Sequence, residues 1–293
     1  AVVPLLDKRR HLVAIAQRQP AEFKIGDFVL APDKPAFLVA EIGNNHNGRI
    51  ELAYRLVDEA VASGADCAKF QMRSMQELYR NLGDASDPSE DLGAQYTLDL
   101  LSRFQLNIED MLRVFDYCKE RSILPLCTPW DNESLNVLED YGMQAYKLAS
   151  ADLTNHELLD AIARTGKPLI CSTGMSSESE ISAAVRKLKQ LDAKYVLLHC
   201  NSTYPAPFKD IHLNYLDRLS QIGDCLVGYS GHERGIAVAI AAVAKGAKVI
   251  EKHFTLDRTM EGNDHRVSLL PAEFKEMEQG IREVEQALGS NAQ

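Results

Sequence analysis

Apolar residues collect in eight short runs, and polar residues collect just after them. The runs are "AFLVAEIG" (36–43), "DCAKFQM" (66–72), "ILPLCTPW" (123–130), "AYKLAS" (145–150), "PLICSTGM" (168–175), "YVLLHCN" (195–201), "CLVGYSGH" (225–232) and "KVIEKHFT" (248–255). They read as apolar on both faces rather than alternating, which is the pattern of parallel strands covered by helices. The segments between them repeat with the 3.6-residue period of helices. "ELAYRLVDEAVASGA" ends at Gly64, a helix stop. "SSESEISAAVRKLKQL" opens on serine with Glu178 and Glu180 in its first turn, and "PAEFKEMEQGIREVEQAL" (271–288) carries Pro271 near its start. "IAVAIAAVA" (236–244) is too short to cross a bilayer and reads as a buried helix.

Eight strand–helix units in about 250 residues predict an α/β fold, the closed (β/α)8 TIM barrel. A doubly wound open sheet competes, but a glycine fingerprint GxGxxG is missing after the first strand. The expected division is an N-terminal extension over 1–35 and a barrel domain over 36–293. Within the extension, "FKIGDFVLAP" reads as a hairpin able to plug the bottom of the barrel. Residues 73–107 form an over-long connection after the second strand, where loops usually serve function.

The net charge of −10 argues against a nucleic-acid partner, yet leaves room for a small anion held by a few local cations. Neither a signal peptide nor a membrane span is apparent at "AVVPLLDKRRHLVAIAQRQP" or beyond, so a cytoplasmic protein without membrane contact is expected. The six cysteines are scattered singly and lack ligand spacing. They are expected to be buried free thiols.

Chemistry gathers at the C-terminal ends of the runs, where a parallel barrel carries its active site. Those ends supply Glu41 and the loop "NNHNG", then Lys69, Gln71, Thr128, Lys147, Ser150 and Asp152. They continue with Ser172, Thr173, His199, Asn201, Ser202, Tyr204, Ser230, His232, Glu251 and His253. Two sub-sites can be read. Lys69 and Lys147, with Thr128, Ser150 and Ser230 as hydroxyl donors, suit a phosphate and a carboxylate; the plain alternative for each lysine is an ion pair with a neighbouring strand. His232 and His253 end adjacent strands and can bind a divalent metal as neutral imidazoles, with Glu41 and Glu251 on its waters. The plain alternative is a pair of core hydrogen-bonders. In "AEIGNNHNG", at least two of the three asparagines are expected to bond their own loop's backbone, and His46 is a weak candidate for substrate contact.

The ordered motifs "FKIG", "AEIGNNHNG", "AKFQ", "CTP", "YKLAS", "STGM", "LLHCNSTYP", "GYSGH", "IEKHFT" and "GNDH" resemble the N-acetylneuraminate (sialic acid) synthase family from about residue 23 to about 280. The resemblance implies a manganese- or magnesium-dependent TIM barrel that condenses phosphoenolpyruvate with N-acetylmannosamine or a related amino sugar to a nonulosonic acid. It makes His232 and His253 the metal ligands. Lys69, Thr128, Lys147, Ser150 and Ser230 become phosphoenolpyruvate contacts. Glu41 and Glu251 stand near the metal and its waters; Gln71, Tyr204 and Asp264 face the sugar. Glu41, Lys69, Lys147 and Glu251 are thus the expected catalytic groups.

The chain departs from the family pattern in three places. "ASAD" replaces the usual "GSGE", so Asp152 stands where a glutamate contacts the sugar. Ser202 stands where an asparagine is common. The chain stops at Gln293, where the family continues into an antifreeze-like domain that reaches the partner subunit's site in a homodimer. Two other functions fit less well. An octulosonate- or heptulosonate-type sugar-phosphate synthase needs a second phosphate site, for which Arg73 and Arg266 are the candidates. A catalytically inactive sugar-binding barrel has no reason to keep both lysines and both histidines.

Overall fold

The computed structural model describes the backbone of residues 2–6 and 12–17, and residues 23–78 and 99–289 throughout. Two antiparallel pairs come first: β1 (Val2–Leu6) with β2 (Leu12–Gln17), and the hairpin β3 (Phe23–Ile25) with β4 (Phe28–Leu30). The sequence pattern suggested only the second.

Eight parallel strands then close on themselves. They are β5 (Phe37–Gly43), β6 (Cys67–Met72), β7 (Leu124–Pro129), β8 (Tyr146–Leu148), β9 (Leu169–Ser172), β10 (Tyr195–Cys200), β11 (Val227–Gly231) and β12 (Val249–His253). Each pairs with the next in chain order, and β12 pairs with β5, so the sheet has no edge.

The runs looked uniformly apolar because both faces are buried, yet they alternate. Leu38, Ala40, Ile42, Ala68, Phe70, Tyr146, Leu148, Leu197 and Ile250 face the surrounding helices in one apolar cluster. Phe37, Val39, Cys67, Leu126, Ala145, Ile170, Val196, Leu198 and Val249 form a second cluster inside the barrel. Phe23, Ile25 and Leu30 of the hairpin join that inner cluster, which seats the hairpin at the N-terminal end of the barrel. Above the inner layer, the next inward positions are Glu41, Lys69, Thr128, Lys147, Ser172, Ser230 and Glu251, all buried. The interior therefore changes from apolar to charged at one depth.

Helix ends help aim the strand ends. Ser177 caps the helix Glu178–Gln190 and exchanges bonds with Glu180 in a capping box, at the serine start the sequence suggested. Asp131 caps the helix Asn132–Tyr141 through Ser134 N and also accepts from Ser74 N at 2.7 Å. One carboxylate thus ties the chain leaving β6 to the end of β7. In the long connection, Met75–Leu78 and residues 99–103 are helical; residues 79–98 lie outside the described part. The cysteines are free thiols, and all but Cys225 are buried. Among the described residues no helix is long and apolar enough to cross a membrane.

Candidate active site

A cavity of about 300 Å³ opens at the C-terminal ends of the barrel strands. Its wall contains Glu41, Lys69, Gln71, Thr128, Lys147, Ser150, Tyr204, Ser230, His232, Glu251, His253 and Asp264. These come from loops and strands far apart in sequence, and the closed barrel brings them together.

One side of the cavity is an ion-paired cluster. Lys69 Nζ lies 2.6 Å from Glu41 Oε2 and 3.8 Å from Glu251 Oε2, and donates to Thr128 Oγ1 at 3.2 Å. Lys147 Nζ donates to Ser172 Oγ at 2.7 Å and to Leu148 O at 3.0 Å, and stands 3.9 Å from Glu251 Oε1. Ser230 Oγ donates to Glu251 Oε1 at 3.0 Å, and Gln71 Nε2 donates to Glu41 Oε1 at 2.8 Å. The plain reading of the lysines, pairing with neighbouring strands, is therefore correct as far as it goes. Both lysines nevertheless face the cavity. Burial pulls the Lys69 ammonium toward deprotonation, but Glu251 and Glu41 outweigh it and hold the group above its usual value. Lys147 goes the other way: burial lowers it, and Glu251 restores only part. Burial pushes Glu251 upward, yet Lys147 and Lys69 keep it well below the usual carboxylate range. Charged groups this deep are costly unless compensated, so the arrangement is built around charge.

The other side is aromatic. His232 Nδ1 donates to Asn201 O at 2.7 Å, which leaves Nε2 to accept from Tyr204 OH at 2.8 Å. The His232 and His253 ring centroids are 5.4 Å apart. His253 Nδ1 is buried without a hydrogen-bond partner among the described residues, 3.9 Å from Asp264 Oδ2. Burial lowers the pKa of both imidazoles, so both are neutral near pH 7. Neutral rings, one orphaned ring nitrogen and nearby carboxylates suit a divalent cation with mixed nitrogen and oxygen ligands. No group of three ligating side chains converges among the described residues, so His232 and His253 would leave the other positions to water or substrate.

Asp152 sits on the turn Ser150–Asp152, next to the wall residues Ser150 and Ala151, and accepts from Asn155 at 3.2 Å. Three expectations are corrected. His46 is fully buried beside Phe70, with Nδ1 accepting from Gly48 N, and is not on the wall. His199 takes the outward phase of β10, where it bonds Ile211 O; its neighbour Cys200 lines the cavity instead. The loop asparagines reach across rather than back. Asn45 donates to Phe254 O and Ser268 Oγ, Asn47 donates to Glu261 O, and Asn44 lines the cavity. Sequence reasoning gave no role to Ser172, although it stood among the polar strand ends, nor to Trp130. Arg73 entered only as a second-phosphate candidate. Arg73 and Trp130 share the wall, with the guanidinium 4.9 Å from the indole centroid. Arg266 is exposed and off the wall.

A closed parallel barrel whose mouth carries two buried ammonium groups, two buried carboxylates and a pair of neutral imidazoles defines an α/β-barrel protein with a charged site at the C-terminal ends of its strands. The particular lineage follows from comparison with known proteins. The chain belongs to the NeuB family, whose model matches residues 56–293. It is 38% identical over 268 residues to the N,N'-diacetyllegionaminic acid synthase of Campylobacter jejuni, covering 87% of this chain and 78% of that one. It is 34% identical over 258 residues to the human N-acetylneuraminate-9-phosphate synthase, covering 87% and 72%. The crystal structure of N-acetylneuraminic acid synthetase from Leptospira borgpetersenii, in complex with citrate, superposes with a TM-score of 0.85 at 33% identity, covering 93% of this chain and 91% of that one.

Proposed function

We propose that this chain condenses phosphoenolpyruvate with the open-chain aldehyde of N-acetylmannosamine or a related N-acetylated amino sugar, releasing phosphate and a nonulosonic acid. One observation supports this most: a hydroxyl-lined half holding two ion-paired ammonium groups and an imidazole half share one 300 Å³ cavity. Lys69 and Lys147 take the phosphate and carboxylate of phosphoenolpyruvate, helped by the hydroxyls of Thr128, Ser150 and Ser230. Gln71, Tyr204 and Asp264 face the sugar, with Asp152 behind the rim. C3 of phosphoenolpyruvate bonds to the aldehyde carbon, whose oxygen takes up a proton. The positive centre left at C2 accepts water oriented by Glu41, which removes its proton. The C2–O bond to phosphate then breaks as the new C2 hydroxyl passes its proton to the departing phosphate and becomes the keto group, and the two ammonium groups stabilise the leaving dianion. A divalent metal held by His232 and His253, manganese or magnesium, supplies Lewis-acid polarisation of the aldehyde when bound. In this reading the protein is a cytoplasmic transferase acting as a homodimer.

The test is a phosphate-release assay with manganese, phosphoenolpyruvate and a panel of N-acetylated amino sugars, run in water labelled with heavy oxygen. Label in the 2-keto product and none in phosphate is the expected result. Label in phosphate with none in the keto group means P–O cleavage and refutes the mechanism. A phosphorylated acceptor is a second reading, for which Arg73 on the wall is the supporting feature. Including the 6-phosphate of N-acetylmannosamine in the panel separates the two.

A further inference from the structure

Just outside the barrel, behind the cavity, lies a fully buried ion pair that the chemistry above does not use. Lys252 and Glu233 are both inaccessible to solvent. Lys252 Nζ donates to Glu233 Oε1 at 2.9 Å and to Glu233 O at 2.7 Å, and Tyr229 OH donates to Glu233 Oε2 at 2.6 Å. Buried pairs of this kind add little stability, because desolvation offsets the attraction, and an apolar pair of similar volume commonly serves as well. Their placement here is informative. Lys252 is the outward residue between Glu251 and His253 on β12, and Glu233 directly follows His232.

The β11–β12 ladder ends at the pair Gly231 and Lys252. His232 is the first residue beyond it, so the ladder alone does not fix its backbone against β12. Lys252 reaches past the end of the ladder and grips the next residue by both its carbonyl and its carboxylate. His232 is thereby bracketed, by the ladder on one side and by the ammonium on the other. Gly231 makes room for this: a Cβ there would sit 2.7 Å from Glu233 Oε2 and 2.7 Å from Tyr229 Cε1.

We propose that Glu233 and Lys252, steadied by Tyr229, are positioning residues that hold the His232 imidazole in register with His253. For its metal arm the inference rests on the proposed function; its geometric arm does not. The experiment compares the whole chain with the double variant Glu233→Gln/Lys252→Met, which leaves no lone buried charge, and with Tyr229→Phe, which removes one hydroxyl and keeps the fold if the double variant does not. The geometric arm reads the ¹⁵N shifts of the His232 ring. The native ring should be the Nδ1–H form pointed at Asn201, and the double variant should move toward the mixture of a free imidazole. The metal arm titrates Mn²⁺ by its electron-paramagnetic signal: the expected loss is about tenfold for the double variant and smaller for Tyr229→Phe, the low end of the range for direct partners of ligating histidines, because Glu233 and Lys252 act on the ring only through the backbone. Inorganic phosphate, which reports on Lys69 and Lys147, should bind all three proteins within about twofold; a general loss of structure would weaken it equally. Unchanged His232 shifts in a folded variant overturn the inference, as does unchanged Mn²⁺ affinity where the native chain binds it. If the native chain binds no Mn²⁺, the metal half of the proposed function falls, and the ¹⁵N arm still decides the positioning role.

Discussion

Replacing Lys69 with methionine removes the ammonium from the centre of the cluster and keeps most of the side-chain volume. At the 2.6 Å separation from Glu41 the direct attraction is about 6 kcal/mol with an effective dielectric of 20, and Glu251 at 3.8 Å adds about 4 kcal/mol. Most of this is offset in the native protein by the desolvation of the ions. The variant retains the desolvated carboxylates without their counter-ion, so the expected loss at pH 7 is about 3–5 kcal/mol, the range for breaking a buried pair from one side. The pH dependence has a definite sign. In the native protein Glu251 sits below its ordinary 4.5, so it contributes stability above that pH and gives it up as pH falls toward its folded value. Without Lys69 that contribution shrinks. The gap between native and variant should therefore be widest above pH 6 and narrow as pH drops through about 4.5. Guanidinium unfolding midpoints at three pH values measure it. Inorganic phosphate at a hundred times its dissociation constant should add about 2.7 kcal/mol to the native protein and much less to the variant. Equal midpoints at pH 7, or a gap that grows as pH falls, would refute the reasoning.

Three further outcomes are expected. Burial holds the His46 imidazole down at about 4, so the unfolded chain binds the extra proton between pH 6.5 and 4, and stability falls by about 3 kcal/mol as pH is lowered through that window; His46→Gln should flatten that part of a stability–pH curve. Gly48 has φ +71 and a Cβ there would meet Arg103 O at 2.4 Å, so Gly48→Ala should cost about 1–3 kcal/mol and loosen the β5 loop, seen as faster amide exchange at Asn44 to Asn47. Ser172→Ala leaves Lys147 without a 2.7 Å acceptor and should raise the KM for phosphoenolpyruvate about tenfold, with the KM for the sugar little changed.

How much of this was legible in the sequence depends on where strand periodicity holds. All eight barrel strands could be read because covering both faces of the sheet makes each strand an unbroken apolar run. The same burial hides which phase of a run points inward. Where two polar residues stand two apart, as with Lys69 and Gln71 or Glu251 and His253, the phase is visible, and these residues do line the cavity. Where one polar residue stands alone it misleads. In "YVLLHCN" the histidine looked like chemistry and the cysteine like packing, yet Val196 and Leu198 lie in the inner cluster, and continuing that phase leads to Cys200.

Beyond the strand ends the alternation lapses and side-chain direction is set by contacts between loops. Asn45 and Asn47 look like local turn formers, but their partners Phe254, Ser268 and Glu261 arrive from the loop after β12, adjacent only because the barrel closes there. Arg73, Trp130 and Asp152 are of the same kind: the sequence places them at the correct end of the barrel without saying which of them face the cavity. The ion-paired cluster of this chain is therefore written in the strands, in regular phase. On the proposed function, the choice of acceptor would fall largely to the loops, where only the assembled structure shows which side chains meet. For this chain, acceptor choice should answer to changes at Arg73 and Trp130 sooner than at Asp152. Kinetics across a sugar panel decide this: a larger shift in acceptor preference for Asp152→Glu than for Arg73→Gln would show that the rim, not the wall, sets selectivity.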